Sequence, residues 1–205
     1  MKKWLFVIII ILVIISGFSF WKIIISPQYS LKQLKKAISE NDVTVFEKYV
    51  ALDNVVDSII TQSWNYYYLA EETETRWDKI RQEIGNSLLS VVKPNLKEII
   101  KKEVLEYIKT GSWADIEKED ENKIYSVVRR LIKKRVDPQQ WDQQSINYTE
   151  VEGDTAHVGL TYYDQSKKTN FLVEVKMRYM NGYWQLMEIT NITQLINIFE
   201  NLNNN

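Results

Sequence analysis

The chain has 205 residues, 45% of them hydrophobic, with 26 basic and 27 acidic side chains, a formal net charge of −1 and no cysteine. That balance offers no electrostatic footprint for nucleic acid. The missing cysteines exclude thiol nucleophiles, thiolate zinc sites, iron–sulfur clusters and attachment as a lipoprotein.

From residue 4 to residue 21 there is no charge, and Ile, Leu, Val and Phe dominate. A bilayer core takes roughly 20 helical residues, and residues 23–25 extend the run past Lys22, whose ammonium can snorkel to the headgroups. The alternative, a buried core helix, is set aside because the run is apolar on every face. Gly17 and Ser19 resemble a cleavage signal, but a signal peptide has a shorter apolar core, and bulky Phe18, Phe20 and Trp21 surround them. The pattern predicts a retained transmembrane anchor over residues 1–25. Lys2 and Lys3 before it, against Lys22 alone after it, place the N-terminus in the cytoplasm and the rest outside. The expectation is a single-pass membrane protein with one exported domain over residues 26–201 and a frayed tail at 202–205.

The first part of that domain, about residues 30–135, reads as helical. Ser30 with Gln33 offers a capping box, followed by Leu31, Leu34 and Ile38 at helical spacing. Asp42 can cap a short helix bearing Val45, Phe46, Tyr49 and Val50. A longer helix starts at Asp53 or Asn54 and carries Val56, Ile59, Ile60 and Trp64. Another runs from near Trp77 through Ile80, Ile84, Leu88 and Val91. Pro94 suits the first turn of a new helix, with Leu96, Ile99, Ile100 and Tyr107 on its stripe and Gly111 at its end. Ile124, Val127, Val128, Leu131 and Ile132 form one more amphipathic stripe.

From about residue 143 to 190 the period changes to two. Ala156, Val158, Leu160 and Tyr162 alternate with polar positions, as on a half-buried strand. In "FLVEVKMRYMNGYWQLMEI", Asn181-Gly182 between alternating runs predicts a two-residue hairpin turn with positive φ. That register opposes Tyr179 to Trp184, Met177 to Leu186 and Val175 to Glu188. Val173, Val175, Met177, Tyr179, Trp184 and Leu186 then share one face, with Glu174, Lys176, Arg178 and Gln185 on the other. A strand at 146–151, turned by Glu152-Gly153-Asp154, completes a four-stranded antiparallel meander. Asn191 with Gln194 caps a closing helix over about 191–202. The predicted fold class is α+β: one N-terminal transmembrane helix, a helical region, the meander and the closing helix.

"SPQYSLKQLKKAISENDVTVFEKYV", "VVDSII" and "GYWQLMEITNI" resemble the uncharacterised DUF2939 family of bacterial membrane-anchored proteins. The likeness covers the opening of the domain and its last strand; Ala51 departs from it, where an acidic residue is expected. It implies an architecture of helices before a Trp-containing hairpin, and no activity. The meander after helices is also similar to the cone-shaped nuclear-transport-factor-2 class, and neither likeness assigns a function.

No catalytic, cofactor-binding or metal-ligating constellation is evident. His157, the lone histidine, falls on the polar face of its strand, and no Gly-x-Ser-x-Gly elbow accompanies it. No phosphate-binding glycine loop is present. Glu188, directed by the predicted register toward the apolar face, is a buried-carboxylate candidate. Trp64, Tyr66, Tyr67 and Tyr68 put aromatics on more than one helix face, a candidate contact patch. Residues 115–123 are acidic, and Arg129, Arg130, Lys133, Lys134 and Arg135 are basic. Acids at the start and bases at the end of one helix suit its dipole, while the basic cluster is also a candidate contact for anionic headgroups or wall polymer. Two functions follow: a membrane-tethered extracytoplasmic domain that binds a protein partner or small ligand without cofactor, or a carboxylate-dependent hydrolase acting on cell-envelope polysaccharide or lipid.

Overall fold

A computed structural model describes residues 25–68, 76–112, 141–165 and 167–203. Among them the chain forms helices α1 (Pro27–Ser39), α2 (Val43–Tyr49), α3 (Leu52–Tyr68) and α4 (Arg76–Thr110). Strands β1 (Trp141–Glu152), β2 (Thr155–Asp164), β3 (Thr169–Met180) and β4 (Tyr183–Ile189) follow, then helix α5 (Ile192–Asn203). The strands form one antiparallel sheet in the order β1-β2-β3-β4. The arrangement is α+β.

One part of the expected fold class is corrected. Among the described residues no helix is long and apolar enough to cross a membrane. The longest, α4, carries Lys93, Lys97, Glu98, Lys101, Lys102 and Glu103 in close succession, and charges at that density oppose burial in lipid. The anchor expected over residues 1–25 falls almost wholly outside the described residues. The transmembrane helix, the single-pass placement, the extracytoplasmic location and the membrane as a partner are therefore not carried forward.

Local chemistry sets the helix ends. Ser26, not Ser30, caps α1: its hydroxyl accepts from the Tyr29 N–H at 3.1 Å, and Pro27 occupies the first turn where its missing N–H costs nothing. Asn41 takes φ +56°, a left-handed step that ends α1. Asp42 then caps α2 by accepting from the Val45 N–H at 2.9 Å. Helix α4 runs through Pro94 without ending, although proline leaves a carbonyl one turn earlier without its donor. Lys93 reaches Asp57 at 2.8 Å, and Lys97 and Lys101 reach Asp53 at 3.2 and 3.1 Å. These ties hold α4 to α3 on both sides of the proline, so the break expected there does not occur.

The core lies between α1–α3 and one face of the sheet. Leu31, Phe46, Val56 and Ile60 meet Val158, Val175, Met177 and Leu186 there. Pairing of Val158 with Val175 and of Met177 with Leu186 confirms the expected apolar face. A smaller cluster of Phe171, Ile192 and Leu195 seats α5, with Phe199 edge-on to Phe171 at 5.3 Å.

Strand β4 has β3 on one side only, and the N-terminal elements cover its other edge. The Trp184 N–H donates to the fully buried Ser30 hydroxyl at 3.0 Å, and the Trp184 indole N–H donates to the Ile25 carbonyl at 2.7 Å. Val50 bridges Leu186 in parallel, and the Ala51 N–H donates to the Leu186 carbonyl at 2.9 Å. Asn191 precedes α5 but does not cap it with its side chain. Its amide accepts from the Glu174 N–H at 2.9 Å and donates to the Leu172 carbonyl at 2.8 Å, continuing the ladder past the end of β4. The Ile192 N–H at the start of α5 is instead taken by the Gln62 side chain at 3.3 Å.

Ser30→Ala should strand the Trp184 N–H in a dry site and cost about 1–3 kcal/mol. Trp184→Ala, which also empties ring volume, should cost about 3–5 kcal/mol. Thermal or urea unfolding of both variants checks the order, and equal stabilities would disprove the role given to Ser30.

Candidate functional site

The site begins with a register change. Met177 lies opposite Leu186, but the next pairs are Lys176 with Glu188 and Val175 with Ile189. Met187 is thus an extra residue, a β-bulge. It corrects the expected pairing of Val175 with Glu188: the apolar Ile189 takes the core position, and the carboxylate turns to the polar face. Burying an ion among Val175 and Met177 would carry a desolvation penalty that one inserted residue avoids.

On that polar side a groove of about 620 Å³ opens, lined by Asn54, Asp57, Ser58, Thr61 and Gln62 of α3, Lys97 of α4, Asp154 and Thr155 at the β1–β2 turn, and Lys176, Arg178, Met187 and Glu188 of the hairpin. Helix α3 presents this polar face because Val55, Val56 and Ile60 occupy its core side. Ser58 donates to Glu188 at 3.1 Å and accepts from Gln62 at 2.7 Å, while Gln62 also donates to the Ile189 carbonyl at 2.7 Å. The groove wall is therefore hydrogen-bonded to the sheet end rather than merely adjacent.

Most of its charges are paired. Lys93 neutralises Asp57, Arg178 lies 3.3 Å from Asp154, and Lys97 pairs with Asp53. The Lys101 and Lys97 ammoniums hold the Asp53 carboxyl below the usual carboxylate range. Among the described residues, no group of three His, Cys, Asp or Glu side chains is placed to hold a metal ion. A second groove of similar volume follows α4 past Val43, Ile99 and Leu105.

The residues singled out from sequence are dispersed. His157 is exposed on the polar face between Glu150 and Lys176, as its alternation indicates. Trp64 is half-buried in α3. Tyr66 donates to Asn197 at 2.6 Å and Glu200 at 3.2 Å, which ties α3 to α5. The side chains of Tyr67 and Tyr68 lie outside the described residues, as do residues 115–123 and Arg129, Arg130, Lys133, Lys134 and Arg135. Among the described residues that the sequence singles out, Glu188 alone lines the first groove.

Sequence reasoning passed over Tyr148. Its ring lies where a Cβ on Gly159 would sit, and its hydroxyl donates to Glu174 at 2.7 Å. That hydrogen bond, with burial and the carboxylate's charge behind it, pushes the phenol up to about 12. The available signal was a glycine in mid-strand, which marks close approach by another group.

Comparison with family models and with curated proteins gives no match. Among solved structures, a de novo designed protein with a curved β-sheet is similar over 32% of this chain, at 20% identity and a TM-score of 0.23. The chain spans 57% of that designed chain. At that score the likeness carries no argument about fold or function.

Gly159→Ala should expel the Tyr148 ring, break its bond to Glu174 and return the phenol from about 12 toward its ordinary value near ~10. Because the folded state favours the neutral phenol, its stabilising contribution is complete below about pH 10 and disappears as pH rises through about 12. Titration of the Tyr148 ring by NMR, with Tyr148→Phe to assign it, checks both. An unshifted midpoint in Gly159→Ala would refute the stacking.

Proposed function

We propose that this chain is a binding domain rather than an enzyme, and that the groove between α3 and the β3–β4 hairpin is its binding surface. The observation carrying this reading is how the groove's carboxylates are engaged. Asp57 is held by Lys93, Asp154 by Arg178, and Glu188 by the Ser58 hydroxyl. A general acid or base works through a proton it can exchange with substrate, and the ion-paired Asp57 and Asp154 are poor candidates, which leaves Glu188 without a second free carboxylate in the groove. The same pairs make a preorganised wall, with polar groups already fixed in place, which lowers the ordering cost of binding. The occupant is a small ligand or an element of a protein partner, and no cofactor is invoked. The resemblance to the DUF2939 family belongs to this proposal as an architecture without an assigned reaction. The hydrolase reading would need Glu188 and a second groove carboxylate acting together on a glycosidic or ester bond.

The full chain, immobilised and exposed to extract from its native source, should retain material identifiable by mass spectrometry. Lys176→Glu should reduce that capture at least ten-fold with the circular dichroism unchanged, and Tyr66→Phe should leave it alone. Capture indifferent to Lys176→Glu would remove the groove as the surface. Chemical conversion of the captured material that Glu188→Gln abolishes would replace the binding reading with the hydrolase.

A further inference from the structure

Six charged side chains line the groove, three of each sign: Asp57, Asp154 and Glu188 against Lys97, Lys176 and Arg178. Asp57 is paired with Lys93 and Lys97 with Asp53 from outside it, Asp53 being shared with Lys101, and Asp154 and Arg178 pair with each other. Among the described residues this leaves one lining cation and one lining anion without an ion-pair partner, Lys176 and Glu188, the latter hydrogen-bonded by the Ser58 hydroxyl. They are direct cross-strand partners on the same face, a relation that puts Cβ atoms about 4.5–5.5 Å apart. Even so they form no ion pair. The Met187 bulge brings Glu188 opposite Lys176, but Ser58 draws its Oε1 toward α3 at 3.1 Å.

We propose that this separated pair is a receptor for small zwitterions carrying an ammonium and a carboxylate on neighbouring atoms, as an α-amino acid does. The ligand carboxylate meets the Lys176 ammonium, and the ligand ammonium meets the Glu188 carboxylate. The inference rests on the binding reading of the same groove. A simple anion would gain Lys176 but approach Asp57, Asp154 and Glu188; a simple cation would gain Glu188 but approach Lys97, Lys176 and Arg178. A zwitterion gives both groups an ionic partner and adds no net charge to a balanced groove. Asn54 and Thr155 supply further polar contacts. Met187, unbranched and polarisable, offers an adaptable wall for a side chain.

The test is an NMR titration of the full chain with glycine and L-methionine, against acetate and methylammonium at matched ionic strength. Glycine and methionine should produce saturable shifts at Lys176, Met187 and Glu188, methionine with the larger effect at Met187. Acetate or methylammonium alone should bind at least ten-fold more weakly. Lys176→Met and Glu188→Gln should each weaken the zwitterions at least ten-fold while the remaining spectrum is preserved. Acetate binding as tightly as glycine would overturn the zwitterion inference and leave the groove-binding reading in place. No saturable shift with any probe would also overturn it, while extract capture sensitive to Lys176→Glu would show that the broader reading survives.

Discussion

The fold depends on covering the outer edge of β4. An open strand edge exposes N–H and C=O groups that pair with whatever strand comes near, and here the chain closes its own edge from within. A serine hydroxyl inside α1 takes the Trp184 N–H, and the link between α2 and α3 pairs with Leu186. Each contact also fixes a helix. Ser30 and the Ile25 carbonyl set where α1 lies along the sheet, and the Val50 bridge sets where α3 starts. Because α3 starts there, its apolar stripe meets the core and its polar stripe faces the hairpin. The groove follows from edge protection.

The bulge at Met187 does the complementary work. It resolves a conflict between two rules, strict alternation along the strand and exclusion of charge from the core, by spending one residue. Upstream of it Leu186 faces inward; downstream Ile189 does so again. The same insertion sets Glu188 opposite Lys176, while Ser58 draws its carboxylate toward α3, so the feature that protects the core also leaves two opposite charges on one face with no ion pair between them.

Much of the sheet was legible in the sequence because its signals are local. Asn181-Gly182 marks the turn, the alternation through Val175 and Met177 marks the buried face, and Asp42 marks a cap. The errors share a different cause. Ser30 looks like a cap in its own neighbourhood, yet it serves Trp184, 154 positions away. Asn191 looks like a cap too, yet its amide continues the ladder of β3. Pro94 reads as a break because its loss of a hydrogen bond is local, whereas the lysine ties that span it belong to another helix. The groove was illegible for the same reason: its lining comes from α3, α4, a turn and a hairpin, and no window of sequence contains it. Glu188 was singled out on a wrong register, and the bulge that moved it also placed it in the groove.

The distance in sequence between Ser30 and Trp184 also bears on the protein's birth on the ribosome. Helices α1 to α3 are synthesised first, but the strand that receives them comes almost last. At about 5–20 residues per second, the intervening stretch takes roughly 8–30 s to make. Throughout that time the stripe of Leu31, Phe46 and Val56 has no sheet to pack on, and the early helices can hold one another only loosely. Strand β4 then arrives within a hairpin that forms in microseconds once complete, so translation rather than local folding sets the tempo. A nascent chain stalled before Tyr183 would lack the edge that positions everything upstream, which makes this protein vulnerable to truncation at its far end in a way its N-terminal helices alone would not suggest.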